Sequence, residues 1–239
     1  MIRRLLLLAV VLSVAAGGAF VWYLRDDSPS RPELSKPKAT SSTQGTGPAA
    51  GGDVPARSPD GEWAVVSGES SFMGYRVQET FASDTVHKTA VGRTSSFDAT
   101  MTVKAGLVTK ANVRVDVDKI VSDRSLRDDA MRTRGLETNT FPEATFTLTE
   151  PVALPAGIKA GQEVKVSPTG DLMLHGTTKR IRIALDARWD TSTIEVAGTA
   201  PILFSDFSIT TPSNAFVSVE DHGELELHLT FSRSEAVSD

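Results

Sequence analysis

The sequence predicts an all-β domain of antiparallel strands, on three observations. Apolar and polar residues alternate with a period of two through most of Trp63 to Phe231. Gly, Pro, Asn and Asp fall between the alternating segments, at Ala105-Gly106, Pro155-Ala156-Gly157, Pro168-Thr169-Gly170 and Pro212-Ser213-Asn214. Within that span only one stretch, Leu126–Arg134, reads as a helix.

The strands follow from the side-chain period. Phe97, Ala99, Met101 and Val103 alternate with Asp98, Thr100 and Thr102. Val113, Val115 and Val117 alternate with Asn112, Arg114, Asp116 and Asp118. Ile181, Ile183, Leu185, Ala187 and Trp189 form a third apolar row, and Leu225, Leu227, Leu229 and Phe231 a fourth, opposite Glu224, Glu226, His228 and Thr230. Successive strand side chains point to opposite faces, so each strand has a dry face and a wet one. Shorter strands fit Ser70–Glu79, Phe146–Thr149, Leu172–Leu174 and Ile194–Phe204. That makes about eight antiparallel strands. A closed up-and-down barrel and a two-sheet sandwich both satisfy the pattern. In the helical stretch Ser125 is placed to cap, Gly135 to terminate, and Leu126, Ala130 and Met131 form the apolar stripe.

Ahead of this domain stand two other segments. Leu5 to Leu24 carries no charge over 20 residues, with Arg3 and Arg4 before it and Arg25, Asp26 and Asp27 after it. As a helix it would cross a hydrocarbon core of ~30 Å, with the basic end in the cytoplasm. Residues 1–25 are therefore expected to be a transmembrane anchor or uncleaved signal; the run continues past the small residues Ser13 to Ala19, which favours an anchor over a cleaved signal. The expected location is a single-pass cell-membrane protein with an extracytoplasmic domain, or a secreted one if the segment is cleaved. Residues 26–61 hold half of the twelve prolines and no aromatic residue, which predicts a disordered Pro/Ser/Thr/Gly/Ala-rich linker. The barrel domain then spans 62–234.

Composition excludes several functions. A net charge of −5 argues against nucleic acid as a partner. With no cysteine, disulfides, thiolate metal sites and cysteine lipidation are excluded. The four histidines show no metal-ligand spacing, and His228 falls on a wet strand face. The acidic residues from Asp116 to Asp129 lack a calcium-loop pattern. No GxSxG, GxGxxG or GxxxxGK[ST] motif occurs. The expectation is no catalytic residue, no metal and no cofactor. Arg124–Asp128, Asp123–Arg127 and Asp128–Arg132 have the i,i+4 spacing of surface ion pairs on a helix. A sharper alternative has one of these arginines meeting an anionic head group.

The segments GYRVQETF (Gly74–Phe81), AVGRTSSFDATMTV (Ala90–Val103), SDRSLRDDAMRTRGLETNTFPEATFTL (Ser122–Leu148), GDLMLHGTTKRIRIALDARW (Gly170–Trp189) and FSDFSITTPS (Phe204–Ser213) run in the order of the YceI-like domain family. The chain resembles that family from about Trp63 to Arg233. The resemblance implies a lipocalin-like antiparallel barrel with an internal apolar channel. It also implies binding of polyisoprenoids or other long-chain amphiphiles, with no metal required.

Periodicity alone leaves open whether the interior is filled or hollow. If hollow, strand phase nominates Tyr75, Val77, Phe97, Met101, Val113, Val115, Val117, Phe146, Leu172, Leu174, Ile183, Leu185, Leu225 and Leu227 as channel lining, with Arg127 as the head-group contact. The expected partners are a lipid-like small molecule and the membrane, through the N-terminal helix; homodimerisation is left open. Two rival functions remain: an enzyme acting on a lipophilic substrate, and a filled-core extracellular interaction module.

Overall fold

The computed structural model describes residues 28–36, 58–66, 68, 70–81, 86–211, 213 and 217–234. The membrane span expected at 1–25 lies outside these residues. Among the described residues no helix is long and apolar enough to cross a membrane.

Among the described residues fourteen strands appear, several of them pieces of the longer alternating rows. They are β1 (Gly61–Val65), β2 (Phe72–Phe81), β3 (Val86–Thr94), β4 (Phe97–Lys104), β5 (Leu107–Asp116), β6 (Val121–Ser122), β7 (Glu143–Leu148), β8 (Val152–Ala153), β9 (Glu163–Val166), β10 (Thr169–Leu174), β11 (Thr177–Arg182), β12 (Ala184–Asp190), β13 (Thr193–Leu203) and β14 (Val217–Arg233). The only α-helix among the described residues, α1 (Ser125–Ala130), widens into a π turn over Met131–Gly135. Arg124 rather than Ser125 holds the cap position, and no side chain caps the helix. Two-residue turns join β4 to β5 and β10 to β11. Ala105 (φ 53°) with Gly106 (φ 73°), and His175 (φ 50°) with Gly176 (φ 70°), adopt the left-handed conformation that matches strand twist in a tight hairpin.

The expectation of an up-and-down barrel is corrected by the pairing. One antiparallel sheet runs β11-β10-β7-β5-β4-β1-β14-β13-β12-β9 and does not close, because β9 and β11 remain its edges. The long β14 organises it. Its end pairs with β1 (Val65↔Phe231) and its earlier part with β2 (Tyr75↔Leu225), so these two strands lie end to end along one edge. β13 runs along the other edge, with Gly198 opposite Leu227. β9 and β10 are separated by Ser167-Pro168, and β11 and β12 by Ile183, whose N–H donates to the Pro168 carbonyl at 3.1 Å. The hairpin keeps one register through the break, from Thr169↔Arg182 to Val166↔Leu185, while outside it β10 pairs with β7 and β12 with β13, a sheet connection that periodicity does not encode.

Inward rows meet at one end and separate at the other. Trp63, Trp189, Ile194, Phe231 and Val103 are buried together in the core cluster at the β1 end. Trp63, only 1 % exposed, also donates its indole N–H to the Pro59 carbonyl at 2.9 Å. A large aromatic ring with its own polar atom satisfied fills this end, beside the buried Trp189 indole N–H, which has no hydrogen-bond partner among the described residues.

Within the stretch expected to be linker, Ser28–Lys36 lies against the outer face of the sheet. The Pro29 carbonyl accepts from Arg76 and the Ser30 carbonyl from Arg93. Arg31 makes a two-point contact with Glu224, both at 2.9 Å. The Ser35 N–H donates to Glu195 at 2.7 Å and its carbonyl accepts from Arg188. Outward-facing charges are thereby covered. Glu226 is 1 % exposed between Arg76 (3.2 Å) and Arg93 (2.6 Å). His228, expected to be solvated, is buried with its Nε2 2.8 Å from Glu195. A polar segment replaces water over a polar wall, which strand alternation alone cannot reveal.

Candidate ligand cavity

Beyond the aromatic end the inward side chains part around a cavity of about 800 Å³. Eleven of the fourteen residues nominated from strand phase line it: Tyr75, Val77, Val113, Val115, Val117, Phe146, Leu172, Leu174, Ile183, Leu225 and Leu227. Phe97, Met101 and Leu185 do not. They have the right phase but sit in the packed core, Met101 opposite Trp63 in the β1–β4 ladder. Ala200, a small residue of an inward strand face, lines it too, and further lining comes from Ile120, Met131, Leu136, Ile202, Phe204 and Ile209, which strand periodicity did not nominate. Several lie in turns, in α1's extension or in the 3-10 turn Phe204–Phe207, where a period of two carries no signal. Gly92 makes room for the wall: a Cβ there would stand 2.4 Å from the Tyr75 ring.

The cavity opens beside α1. The lining residues Asp123, Leu126 and Arg134 are exposed there, and Leu126 is 83 % exposed. Ala130 and Met131 of the predicted apolar stripe do face the cavity. α1 is fixed by its acidic and basic side chains, which were expected to pair with one another at the surface. Asp128 instead accepts from the Ser122 N–H at 2.9 Å and the Ser122 hydroxyl at 2.6 Å, which ties the first turn to β6. Arg132 donates to the Asp118 and Ile120 carbonyls at 3.0 and 3.1 Å. Asp123–Arg127 does form as an i,i+4 pair.

One polar group enters the apolar interior. Tyr75, Val77, Glu79 and Phe81 all face the cavity from β2, so Glu79 is a carboxylate on a dry row. Arg127 meets it in a fork, Nε to Oε1 at 2.6 Å and Nη2 to Oε2 at 2.8 Å. Side-chain exposures of 12 % and 8 % mark this as a mostly desolvated pair. Burial works against the Arg127 charge, but the hydrogen bonds and charges of Glu79 and Asp123 outweigh it and raise the guanidinium pKa above its usual value. Burial likewise pushes the Tyr75 phenol above its ordinary range, partly offset by the Arg127 charge. The mouth thus holds the Arg127–Glu79 pair and a protonated Tyr75 phenol above an aliphatic chamber. Arg127 was nominated from sequence. Glu79 was not, because its partner lies 48 positions away. Among the described residues no group of three or more His, Asp or Glu side chains is placed to hold a metal ion.

This geometry can be compared with known proteins. The YceI-like domain model matches residues 63–231. The chain belongs to the YceI-like family. A UPF0312 protein of Vibrio parahaemolyticus is 32 % identical over 123 residues, which are 48 % of this chain and 61 % of that relative. Among solved structures, a polyisoprenoid binding domain from Saccharophagus degradans, implicated in plant cell wall breakdown, superposes with a TM-score of 0.55 at 20 % identity, over 72 % of this chain and 98 % of that one. BcnA of Burkholderia cenocepacia does so with a TM-score of 0.54 at 21 % identity, over 70 % and 98 %. At such identities the likeness is one of fold. The YceI-like fold thus accounts for the antiparallel sheet and the short helix.

Proposed function

We propose that this YceI-like domain binds and carries one long-chain lipophile, a polyisoprenoid or similar amphiphile, without covalent chemistry. The observation that carries the reading is the continuous aliphatic cavity of about 800 Å³, walled by β2, β5, β7, β10, β13 and β14 and open at one end. Each tail methylene taken from water contributes ~0.8 kcal/mol, so a dozen contribute roughly 10 kcal/mol, comparable with the ~4–15 kcal/mol cost of association. A tail longer than that binds with a surplus. The head group then rests at the mouth, where Arg127 and Tyr75 supply donors that orient it.

The polar groups of the cavity favour carriage over catalysis. The Tyr75 phenol stays protonated, and Arg127 and Glu79 are hydrogen-bonded to each other. The uncharged run Leu5–Leu24, preceded by Arg3 and Arg4, supports anchoring in the cytoplasmic membrane with the domain outside. The test is to purify the protein from cells, extract it with organic solvent and identify small molecules by mass spectrometry. One lipid per chain is expected. A chain that carries none and takes up none from added lipid contradicts the proposal.

A further inference from the structure

The docked segment Ser28–Lys36 has a direction, and that direction relates the cavity mouth to the membrane. At one end Ser35 is held by Arg188 and by Glu195, whose ladder partner on β14 is Thr230. At the other end Arg31 is held by Glu224, and Arg76, opposite Glu224 in the ladder, holds Pro29. Thr230 lies next to Phe231 at the aromatic, closed end. Glu224 is six positions closer to Val217 and Val219, which line the cavity. Six strand residues span ~20 Å. Traced from Ser35 back to Ser28, the segment therefore climbs the outer wall from the closed end towards the mouth.

Ahead of Ser28 the chain has little slack. Leu24 closes the uncharged run, and the four residue steps from Leu24 to Ser28 cover at most ~14 Å when fully extended. An undocked linker of about 35 residues would allow an end-to-end distance of very roughly 30 Å, in any orientation. The mouth also carries an apolar side chain with nothing packed over most of it: Leu126 on α1, beside the cavity opening and 83 % exposed.

The geometry points to a membrane-facing mouth: the segment Ser28–Lys36 holds the domain against the lipid bilayer with the cavity opening towards it, and Leu126 contacts the bilayer surface. The partner is the bilayer in which the uncharged run is anchored, so this inference rests on the anchoring and tail-binding readings above. A lipid tail then passes between bilayer and cavity with little exposure to water. The docked segment acts as a positioning strap on the outer wall.

The absence of cysteine makes the test clean. The full chain is reconstituted in vesicles of phosphatidylethanolamine and phosphatidylglycerol. A single fluorophore is attached at Leu126→Cys, or at Ser192→Cys in the exposed β12–β13 turn of the closed end. Both sites are exposed, so labelling leaves the core intact. Nitroxide-bearing lipids should quench the label at position 126 several-fold more than the label at 192. Arg31→Glu, which sets a carboxylate against Glu224, should lower quenching at 126, and adding Glu224→Arg should restore it. Equal quenching at the two positions, indifference to Arg31→Glu, or a chain that stays off the vesicles would overturn the inference. Solvent extraction of the same samples separates the two readings. Lipid present with equal quenching removes only the orientation; selective quenching with no lipid removes only the tail binding.

Discussion

Val115→Glu places a carboxyl group in the chamber wall and should abolish ligand retention. Val115 is buried on β5 opposite Phe97 and Ala144, and it lines the cavity between Val113 and Val117. Its lining neighbours in the β5 row are aliphatic, so a new carboxyl group finds no designed partner there. Leaving a polar group buried and unsatisfied costs ~1–3 kcal/mol, which by itself lowers affinity roughly 5- to 150-fold. Each tail methylene that the longer side chain displaces removes another ~0.8 kcal/mol. The desolvated carboxyl should also titrate above the usual glutamate range, so retention should fall further as pH rises and the group ionises. Val115→Leu keeps the wall apolar and serves as the comparison. The assay is lipid per mole of protein after solvent extraction, with circular dichroism and near-ultraviolet spectra to verify the fold. Unchanged retention in a folded Val115→Glu protein would refute the assignment of Val115 to a ligand-bearing wall.

Other substitutions test the supports of the site. Arg127→Leu strands the buried Glu79 carboxylate and should cost ~3–5 kcal/mol of stability in chemical denaturation; Glu79→Leu should cost less because Arg127 keeps Asp123, and the double variant should recover most of the loss. Trp63→Ala should cost ~3–5 kcal/mol by emptying the closed end, with a matching drop in the denaturation midpoint. The strap should be sensitive to acid. The hydrogen bond from Arg31 lowers the Glu224 pKa. For Glu195, burial acts in the opposite direction, but hydrogen bonds from Ser35 and His228 and the Arg188 charge outweigh it and also leave the pKa low. Strap stability from these groups is fully present above the ordinary carboxylate value of ~4.3 and is lost as pH falls through the depressed folded values. The Ser35 amide resonance, followed by NMR at falling pH, should move to its undocked position only below the ordinary carboxylate range.

Much of the wall was legible because a strand's period of two assigns each side chain to a face. Val113, Val115 and Val117 on β5, and Leu225 and Leu227 on β14, could be placed inward from their neighbours alone. Phase gives the face but not the height along the sheet. Phe97, Met101 and Leu185 share the inward phase yet do not line the cavity: Met101 pairs with Trp63 at the packed end, and Phe97 and Leu185 are packed into the core beside the wall. Glu79 was illegible for a different reason: a carboxylate on a dry row makes sense only beside Arg127, which α1 brings over the mouth. Nor could alternation give the order of strands, since β14 pairs with both β1 and β2 through contacts distant in sequence. The strap is the plainest omission. Its Ser/Pro-rich composition reads as unfolded because it cannot build a core. It is nevertheless held by charges on β2, β3, β12, β13 and β14 that its own residues do not announce.

The central claim is that the inward aliphatic side chains surround a tail rather than one another. Nuclear Overhauser contacts between an isotope-distinguished bound lipid and methyl-labelled protein test it most directly. Cross-peaks from the tail to the methyls of Val115, Leu172, Ile183 and Leu227, and none to those of Met101 or Leu185, are the predicted result. A bound lipid with no cross-peaks to the first group, or cross-peaks showing those four side chains packed on each other in the lipid-loaded protein, would contradict it.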